Sequence, residues 1–346
     1  MNSGHKQKGV ALITALIFTA LVTTFAVSIA AQQQIDIRRT GNIFSNDRSY
    51  LLALSIEDWA RDVLKKDIVD AAGTPIDYLG EDWNVSLPPI QLEGATVTGK
   101  VTDLQGLINV NALVEAGGAP VPTQVRRFKR LLDLFDFNED LSDALIDWID
   151  PDTATTIPFG AEDSYYLSLE PSYRAANASM VSISELRLVQ GFDQEIYETL
   201  QPFLTALPLP TTPAPTPSPA PSTPPPTPTP TPTPSPTTGG GLNVNTAPLE
   251  VLQVLVAPSL DISEAESVRN NGDSTDGFQT VAEFLADPNI ASRTIDPDFN
   301  GAVTSEHFLI EGTAVLADAR MRLFSIVRRD NGSGNLTVLM RGQGSY

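Results

Sequence analysis

Residues 10–31 form an unbroken run of 22 positions with no charge and no proline. A helix needs roughly 20 apolar residues to cross the hydrocarbon core of a bilayer, so this run constrains the chain before anything else is read. Only nine residues precede it, and they carry Lys6 and Lys8 but no acid. Positive charge on the short flank holds that end in the cytoplasm, which sends the rest of the chain to the far side.

Three readings fit the run. A secretory signal peptide has a 7–15-residue apolar region and a small-residue cleavage site; Ser28-Ile29-Ala30 offers such a site, but the run is too long. A plain anchor satisfies the hydropathy. The third rests on Lys8-Gly9-Val10-Ala11-Leu12-Ile13, a short basic leader ending in glycine and followed by a hydrophobic residue, which resembles a type IV prepilin leader. The resemblance implies that a prepilin peptidase cuts after Gly9 and methylates the new amino terminus at Val10. A side chain at position 9 would crowd the backbone where the peptidase must approach. Most pilins and pseudopilins carry Glu at the fifth residue after the cut, where it pairs with a neighbouring subunit's amino terminus. A carboxylate in lipid is expensive unless paired. Here the fifth residue is Thr14, an absence typical of the minor pseudopilin K family of the type II secretion system, whose members are thought to sit at the filament tip.

The helical pattern continues beyond the membrane. No proline occurs from Gln32 to Lys66, and Leu52, Ile56, Trp59 and Val63 repeat at four-three-four spacing, an apolar stripe on one face. The whole helix would run about 57 residues, on the order of 85 Å, with Gly41 and residues 45–47 as kink points. Strands are expected at 84–92 and 95–102, joined by a turn at Glu93-Gly94, and at 308–316, 321–328 and 336–341. A small antiparallel sheet therefore opens before residue 103 and closes after residue 306, so the middle is an insertion.

That insertion looks duplicated. Ile108-Asn109-Val110-Asn111-Ala112 recurs as Leu242-Asn243-Val244-Asn245-Thr246, and the stretch from Met180 to Leu186 recurs from Phe278 to Phe284. Each later copy holds a Ser/Thr-x-x-Glu capping box, Ser182/Glu185 and Thr280/Glu283, opening a helix. Between these markers lie helical stripes: Phe128, Leu131, Leu132 and Phe135; Leu141, Ala144, Leu145 and Trp148; then Leu249, Leu252, Leu255 and Val256. Such modules resemble helix-hairpin-helix units. The glycine-rich hairpin that offers amides to phosphate is missing at residues 257–262, and the chain's net charge of −20 repels nucleic acid, so a packing role is expected and no nucleic-acid partner. Between the modules, residues 208–236 hold 15 prolines in 29 positions. This composition builds no core and favours extended polyproline II, either as a spacer or as a docking ligand.

The densest group of acids is in the first module: Asp143, Asp147, Asp150 and Asp152, then Glu162 and Asp163. Asp143 and Asp147 share a helix face, and Asp150 and Asp152 leave its end, where the helix dipole is already negative. A hard cation would relieve that repulsion, and calcium takes six to eight oxygen ligands. The pattern is not an EF-hand, because Ala154 stands at the next ligand position. A solvated acidic loop is the other reading. The family resemblance favours calcium, since pseudopilin K binds it, and the candidate ligands in this run of acids are Asp147, Asp150, Asp152, Glu162 and Asp163. Nothing resembles an enzyme: the two histidines, His5 and His307, stand apart, and there is no cysteine.

The resemblance to the type II secretion minor pseudopilin K family spans nearly the whole chain, through residues 9–14, 107–113, 147–152, 160–166, 173–177, 184–189 and 242–249. It implies an α+β fold, with a pilin-like N-terminal helix packed on a small antiparallel sheet and an all-helical insertion of two helix-hairpin-helix-like modules. The expected divisions are a leader (1–9), the membrane part of the helix (10–31), its soluble part (32–68) and a sheet domain (69–106 with 300–346). Within the insertion lie a first module (107–207), a Pro/Thr/Gly-rich loop (208–241) and a second module (242–299). The implied partners are other minor pseudopilins in a tip complex, the prepilin peptidase, the inner-membrane assembly platform and secreted cargo. An acidic, membrane-tethered binding head or pilus-tip adhesin is the alternative.

Overall fold

The computed structural model describes residues 8–70, 75–92, 94–115, 117–209, 241–297, 299–317 and 319–344. Residues 1–7 of the expected leader, the expected helix break at 71–74, Glu93 of the expected turn and residues 210–240 of the proline-rich segment lie outside them.

Helix α1 (Lys8–Asp70) runs for 63 residues without a break. It continues through Gly41 and residues 45–47 without interruption; one glycine costs a helix only about 1 kcal/mol. From Val10 to Phe44 every residue is exposed. Beyond that, Leu52, Ala53, Ile56, Ala60 and Leu64 are buried. The buried stripe is rotated from the expected one: small Ala53 and Ala60 take its centre, while Trp59 and Val63 flank it half-buried.

Five antiparallel strands form the sheet in the order β1 (Leu87–Leu92), β2 (Ala95–Asp103), β3 (His307–Leu316), β4 (Ala319–Arg329) and β5 (Leu336–Gln343). The first strand starts later than expected because Asp82–Asn84 form a 3-10 turn that buries Trp83. Alternation divides the sheet cleanly between two cores. Val97, Val101, Phe308, Ile310, Ala314, Leu323 and Val327 pack with α1, whereas Leu309 and Ile326 join the core of the insertion.

A notch in the sheet receives α1. Gly99 and Gly312 are register partners on adjacent strands. A Cβ on Gly99 would lie 2.5 Å from Ile56 Cγ2, and one on Gly312 would lie 2.7 Å from the Ala53 carbonyl oxygen. Only glycine leaves room for the helix backbone to come this close.

The insertion leaves at Asp103 and returns at His307, beside the C-terminal end of α1. A buried guanidinium marks that corner. Arg329, 0% exposed, donates to Asp77 at 2.5 Å and to Asp67 at 2.7 Å, donates to the Leu64 carbonyl at 3.4 Å and lies 4.7 Å over the Phe308 ring.

Two modules make up the insertion. The first holds α2 (Pro122–Leu134), α3 (Leu141–Ile149), α4 (Asp163–Tyr166), a 3-10 helix (Ile183–Leu188) and α5 (Gln194–Leu200). The second holds α6 (Leu249–Val254), α7 (Ile262–Asp273), α8 (Val281–Leu285) and α9 (Pro288–Ala291). The sequence leads to an all-helical insertion, but among the described residues it also holds three short strand pairs. Ile108–Asn109 pairs in parallel with Leu204–Thr205, Leu242–Asn243 with Gly301–Ala302, and Val256–Ala257 pairs antiparallel with Thr294–Ile295. The first two pairs exist because each Asn-x-Asn turn is entered through extended backbone.

The two Asn-x-Asn turns are built alike. Asn109 Oδ1 accepts the Asn111 amide, and Asn243 Oδ1 accepts that of Asn245. Asn111 then clamps Met180, accepting its N–H at 2.8 Å and donating to its carbonyl at 2.9 Å. Asn245 clamps Phe278 at 2.8 and 3.1 Å in the same way. Two residues beyond each clamped position stands the cap, Ser182 or Thr280. Buried side chains of both modules, among them Val110, Phe128, Leu186, Val244, Leu252 and Phe284, share one continuous core.

Candidate functional site

Two regions carry chemistry that the core does not use. The first is the membrane end of α1. Gly9 and Val10 lie within its first turns. Thr14 donates its hydroxyl to the Ala11 carbonyl at 3.0 Å, so this side chain is satisfied inside its own helix. The helix is long and apolar enough to cross a membrane, with a window of mean hydropathy 2.4 that is 0% buried.

The second region is an acidic pocket at the end of α3. Its geometry follows from local sequence. The helix stops at Ile149, Pro151 forbids its continuation, and the chain returns through Gly160 to Glu162, the cap of α4. Asp150, Asp152 and Glu162 each place a carboxylate oxygen within 4.8 Å of the others. Asp150 and Glu162 are buried, at 4% and 3% exposure. Asp150 Oδ1, both Glu162 oxygens, Asp143 Oδ2 and Asn177 Oδ1 find no hydrogen-bond donor among the described residues. Burial and neighbouring carboxylates push Asp150 up to about 6 and Glu162 up to about 7. Orphaned, mutually repelling oxygens of this kind cost several kcal/mol unless a cation or protons join them.

Asp147 stands behind this group, fully buried. It accepts the Thr156 amide at 3.1 Å on either oxygen, and burial raises its pKa. Gly160 fits because a Cβ there would strike Asp147 Oδ2 and the Thr156 backbone. Asp163 does not converge with the others. It opens α4 and turns away to accept Arg174 Nη1 at 2.7 Å and the Ala175 amide at 3.1 Å. Asn177, with φ of 43°, donates to the Asp152 carbonyl at 2.5 Å. Its side chain was not singled out from sequence, although it ends the 173–177 motif. The donor set is all oxygen, in a loop closed by two short segments, and it fits a hard cation such as calcium.

A long N-terminal helix, unpacked and apolar in its first third and laid further on into a notch of a five-stranded antiparallel sheet, defines a pilin-like fold, here with a helical insertion. Two family models described as Type II secretion system (T2SS), protein K match residues 106–209 and 242–304. Type II secretion system protein K of Pseudomonas aeruginosa is 31% identical over 347 residues, covering 98% of this chain and 93% of that protein. That of Klebsiella pneumoniae is 26% identical over 353 residues, covering 99% and 98%. A chain of the GspK-GspI-GspJ complex from enterotoxigenic Escherichia coli shares the fold, with a TM-score of 0.69 at 22% identity over 89% of this chain and 100% of that one. The chain belongs to the type II secretion system protein K family. It is thus a minor pseudopilin of that system, a structural component whose apolar helix fits anchoring in the inner membrane.

Proposed function

We propose that this chain caps the pseudopilus, as the tip subunit of the filament that helps drive folded cargo through the outer membrane. The observation that carries this is where the insertion sits. It leaves β2 and enters β3 at the end of the sheet farthest from the membrane part of α1, so it covers the top of the subunit. In a filament extended from the membrane side, that surface is where an earlier-added subunit would stand. A subunit whose top is occupied by its own modules has room for neighbours only below. Thr14 supports the same reading, since a hydroxyl bonded within its own helix offers no carboxylate to a neighbour's amino terminus.

In this reading the prepilin peptidase cuts between Gly9 and Val10, the leader faces the cytoplasm and the head stands in the periplasm. The subunit joins other minor pseudopilins, as the GspK-GspI-GspJ complex does, and engages the assembly platform from within the inner membrane. Asp150, Asp152 and Glu162, with Asp147 behind them, would hold calcium, which would supply positive charge that offsets the repulsion among these carboxylates. Arg174 and Asn177 hold the adjoining segment in place through Asp163 and the Asp152 carbonyl.

The deciding experiment is the amino-terminal mass and sequence of the protein taken from its native membrane. N-methylated Val10 is expected. A start near Ala31 would mean release by signal peptidase and would end the filament reading. Thr14→Glu should then impair secretion or allow incorporation below the tip; normal secretion with tip-only placement would remove Thr14 from the account.

A further inference from the structure

Charge is distributed unevenly along this chain. Residues 104–304 carry 26 acidic and 8 basic side chains, whereas residues 305–346 carry 4 acidic and 5 basic ones. Of the six Lys and Arg residues on the sheet strands, Lys100, Arg320, Arg322 and Arg328 lie on one surface, whereas Arg329 and Arg341 bond Asp77 and Glu57 on the α1 side. On β2 the even-numbered residues, on β3 the odd-numbered ones and on β4 the even-numbered ones point away from α1. Near the insertion this face is covered through Leu309 and Ile326. Its other half, toward the membrane end of α1, carries the exposed Val315, Arg320 and Arg322. There the register sets Thr96, Val315 and Arg320 in one row, Thr98, Thr313 and Arg322 in the next, and Lys100 opposite Glu311. Lys100, Arg320 and Arg322 are exposed, and none of the three side chains makes a hydrogen bond or ion pair among the described residues.

We propose that this half-face, centred on Lys100, Arg320 and Arg322, is the docking surface for an acidic patch on the head of the neighbouring pilin-like subunit below it in the tip complex. The inference rests on the tip reading and adds the surface and the chemistry of its partner. Charge complementarity selects the occupant: three cations that find no partner among the described residues repel a basic neighbour, which the acidic remainder of the surface would attract, and attract an acidic one. A second copy of this chain is excluded by the tip reading itself: its insertion crowns its own top, and a subunit so capped stands above its neighbours and not below one. Anionic lipid is too far away. The helix climbs 22 residues from Ala31 to Ala53, beside Gly312, about 33 Å, and Arg320 hangs only about 10 Å lower along the strands. The gap of roughly 20 Å exceeds a Debye length of about 8 Å at physiological salt. Threonines between the cations provide hydroxyls for a polar, wet contact.

The test uses the full chain in detergent with the I- and J-type minor pseudopilins of its own secretion system. Affinity is measured for the wild type and for the K100E/R320E/R322E variant at low and high salt. Thermal melting of the variant checks its folding, and K100Q/R320Q/R322Q provides a milder second variant. Charge reversal should weaken binding by about tenfold or more at 0.05 M salt, and the difference should shrink to about threefold or less at 0.5 M. The chain has no cysteine, so T313C offers a unique crosslinking position that should capture the partner. Wild-type binding that is unchanged in both variants overturns the docking surface and leaves the tip reading standing. Failure of the wild type to bind either subunit overturns the tip reading itself. Vesicles containing anionic lipid that bind the wild type and not the variant, with subunit affinity unaltered, would replace the protein partner with a membrane and refute the proposal.

Discussion

The notch at Gly99 and Gly312 can be tested sharply, because the two glycines face different obstacles. A Cβ on residue 312 meets the Ala53 carbonyl oxygen at 2.7 Å and Ile56 Cβ at 3.1 Å. The backbone cannot swing aside, so α1 must lift by about 0.5 Å or more to restore normal contact. A gap of that size forfeits about a quarter or more of the dispersion energy along a stripe that includes Leu52, Ala53, Ile56, Ala60 and Leu64. Overpacking of this kind costs about 1–3 kcal/mol, and Gly312→Ala should fall near about 2 kcal/mol. At position 99 the obstacle is Ile56 Cγ2, the methyl of a side chain, so Gly99→Ala should cost about 1 kcal/mol. Heat denaturation of the full chain in detergent, followed by near-ultraviolet circular dichroism, would read these as about 4–8 °C and 2–4 °C. Pairing each change with Ile56→Ala separates the causes. Removing the methyl should abolish the penalty at residue 99 and leave most of that at residue 312, a coupling visible in a double-mutant cycle. Wild-type stability for Gly312→Ala, or equal rescue at both positions, would refute the close-approach argument.

Glu81 accepts hydrogen bonds from Trp83 Nε1 at 2.6 Å and the Tyr78 amide at 3.1 Å; burial first, then Asp67, raises its pKa to about 8. The folded state therefore holds a proton between about 4.5 and 8 that the unfolded chain has released, and stability falls as pH rises through that window. Glu81→Gln keeps both acceptor contacts and should raise the melting temperature at pH 8.5 while leaving it unchanged at pH 4; an equal effect at both would contradict this. Asn245→Leu strands the buried N–H and carbonyl of Phe278 and should cost about 2–3 kcal/mol, with Asn111→Leu costing the same at Met180; chemical denaturation of the two variants checks that the clamps are equivalent. Calcium in place of a chelator should raise the melting temperature of the wild type, and Glu162→Gln should remove most of that gain, whereas Asp163→Asn should retain it. Retention in Glu162→Gln would place the cation elsewhere.

Much of the architecture was legible in sequence because it rests on local periodicity. Alternation located β2 and the three C-terminal strands to within two residues, and the repeated Asn-x-Asn and capping boxes announced the duplication that the paired clamps display. The rotation of the α1 stripe was not legible, because Trp59 and Val63 outrank Ala53 and Ala60 in hydrophobicity and only the glycine notch favours small side chains. The short strand pairs inside the insertion join residues far apart in sequence, and no two-residue pattern signals them. At the acidic pocket, spacing collected the right carboxylates, but Asp163 was separated from Glu162 by the start of α4, and its partner Arg174 lies 11 residues on. The Arg329 corner is not legible: an arginine at a strand end, next to the exposed Arg328, gives no sign that Asp67 and Asp77 will close around it.

The seam between the two modules has a practical consequence. Leu207 is pinned on one side, its N–H and carbonyl bonded to Asn109 and its carbonyl also to Asn111, and the Gly241 carbonyl is held on the other by Gln105. Both ends border one cavity of about 490 Å³, so whatever joins them begins and ends at a fixed gate in the head. Lengthening a loop whose two ends are fixed costs only about 0.6 kcal/mol per doubling of its length. Residues 210–240 are therefore the natural place to splice in an epitope, a protease site or a fluorescent domain, turning the subunit into a reporter of its own position in the secretion machine while the fold around the gate stays as it is.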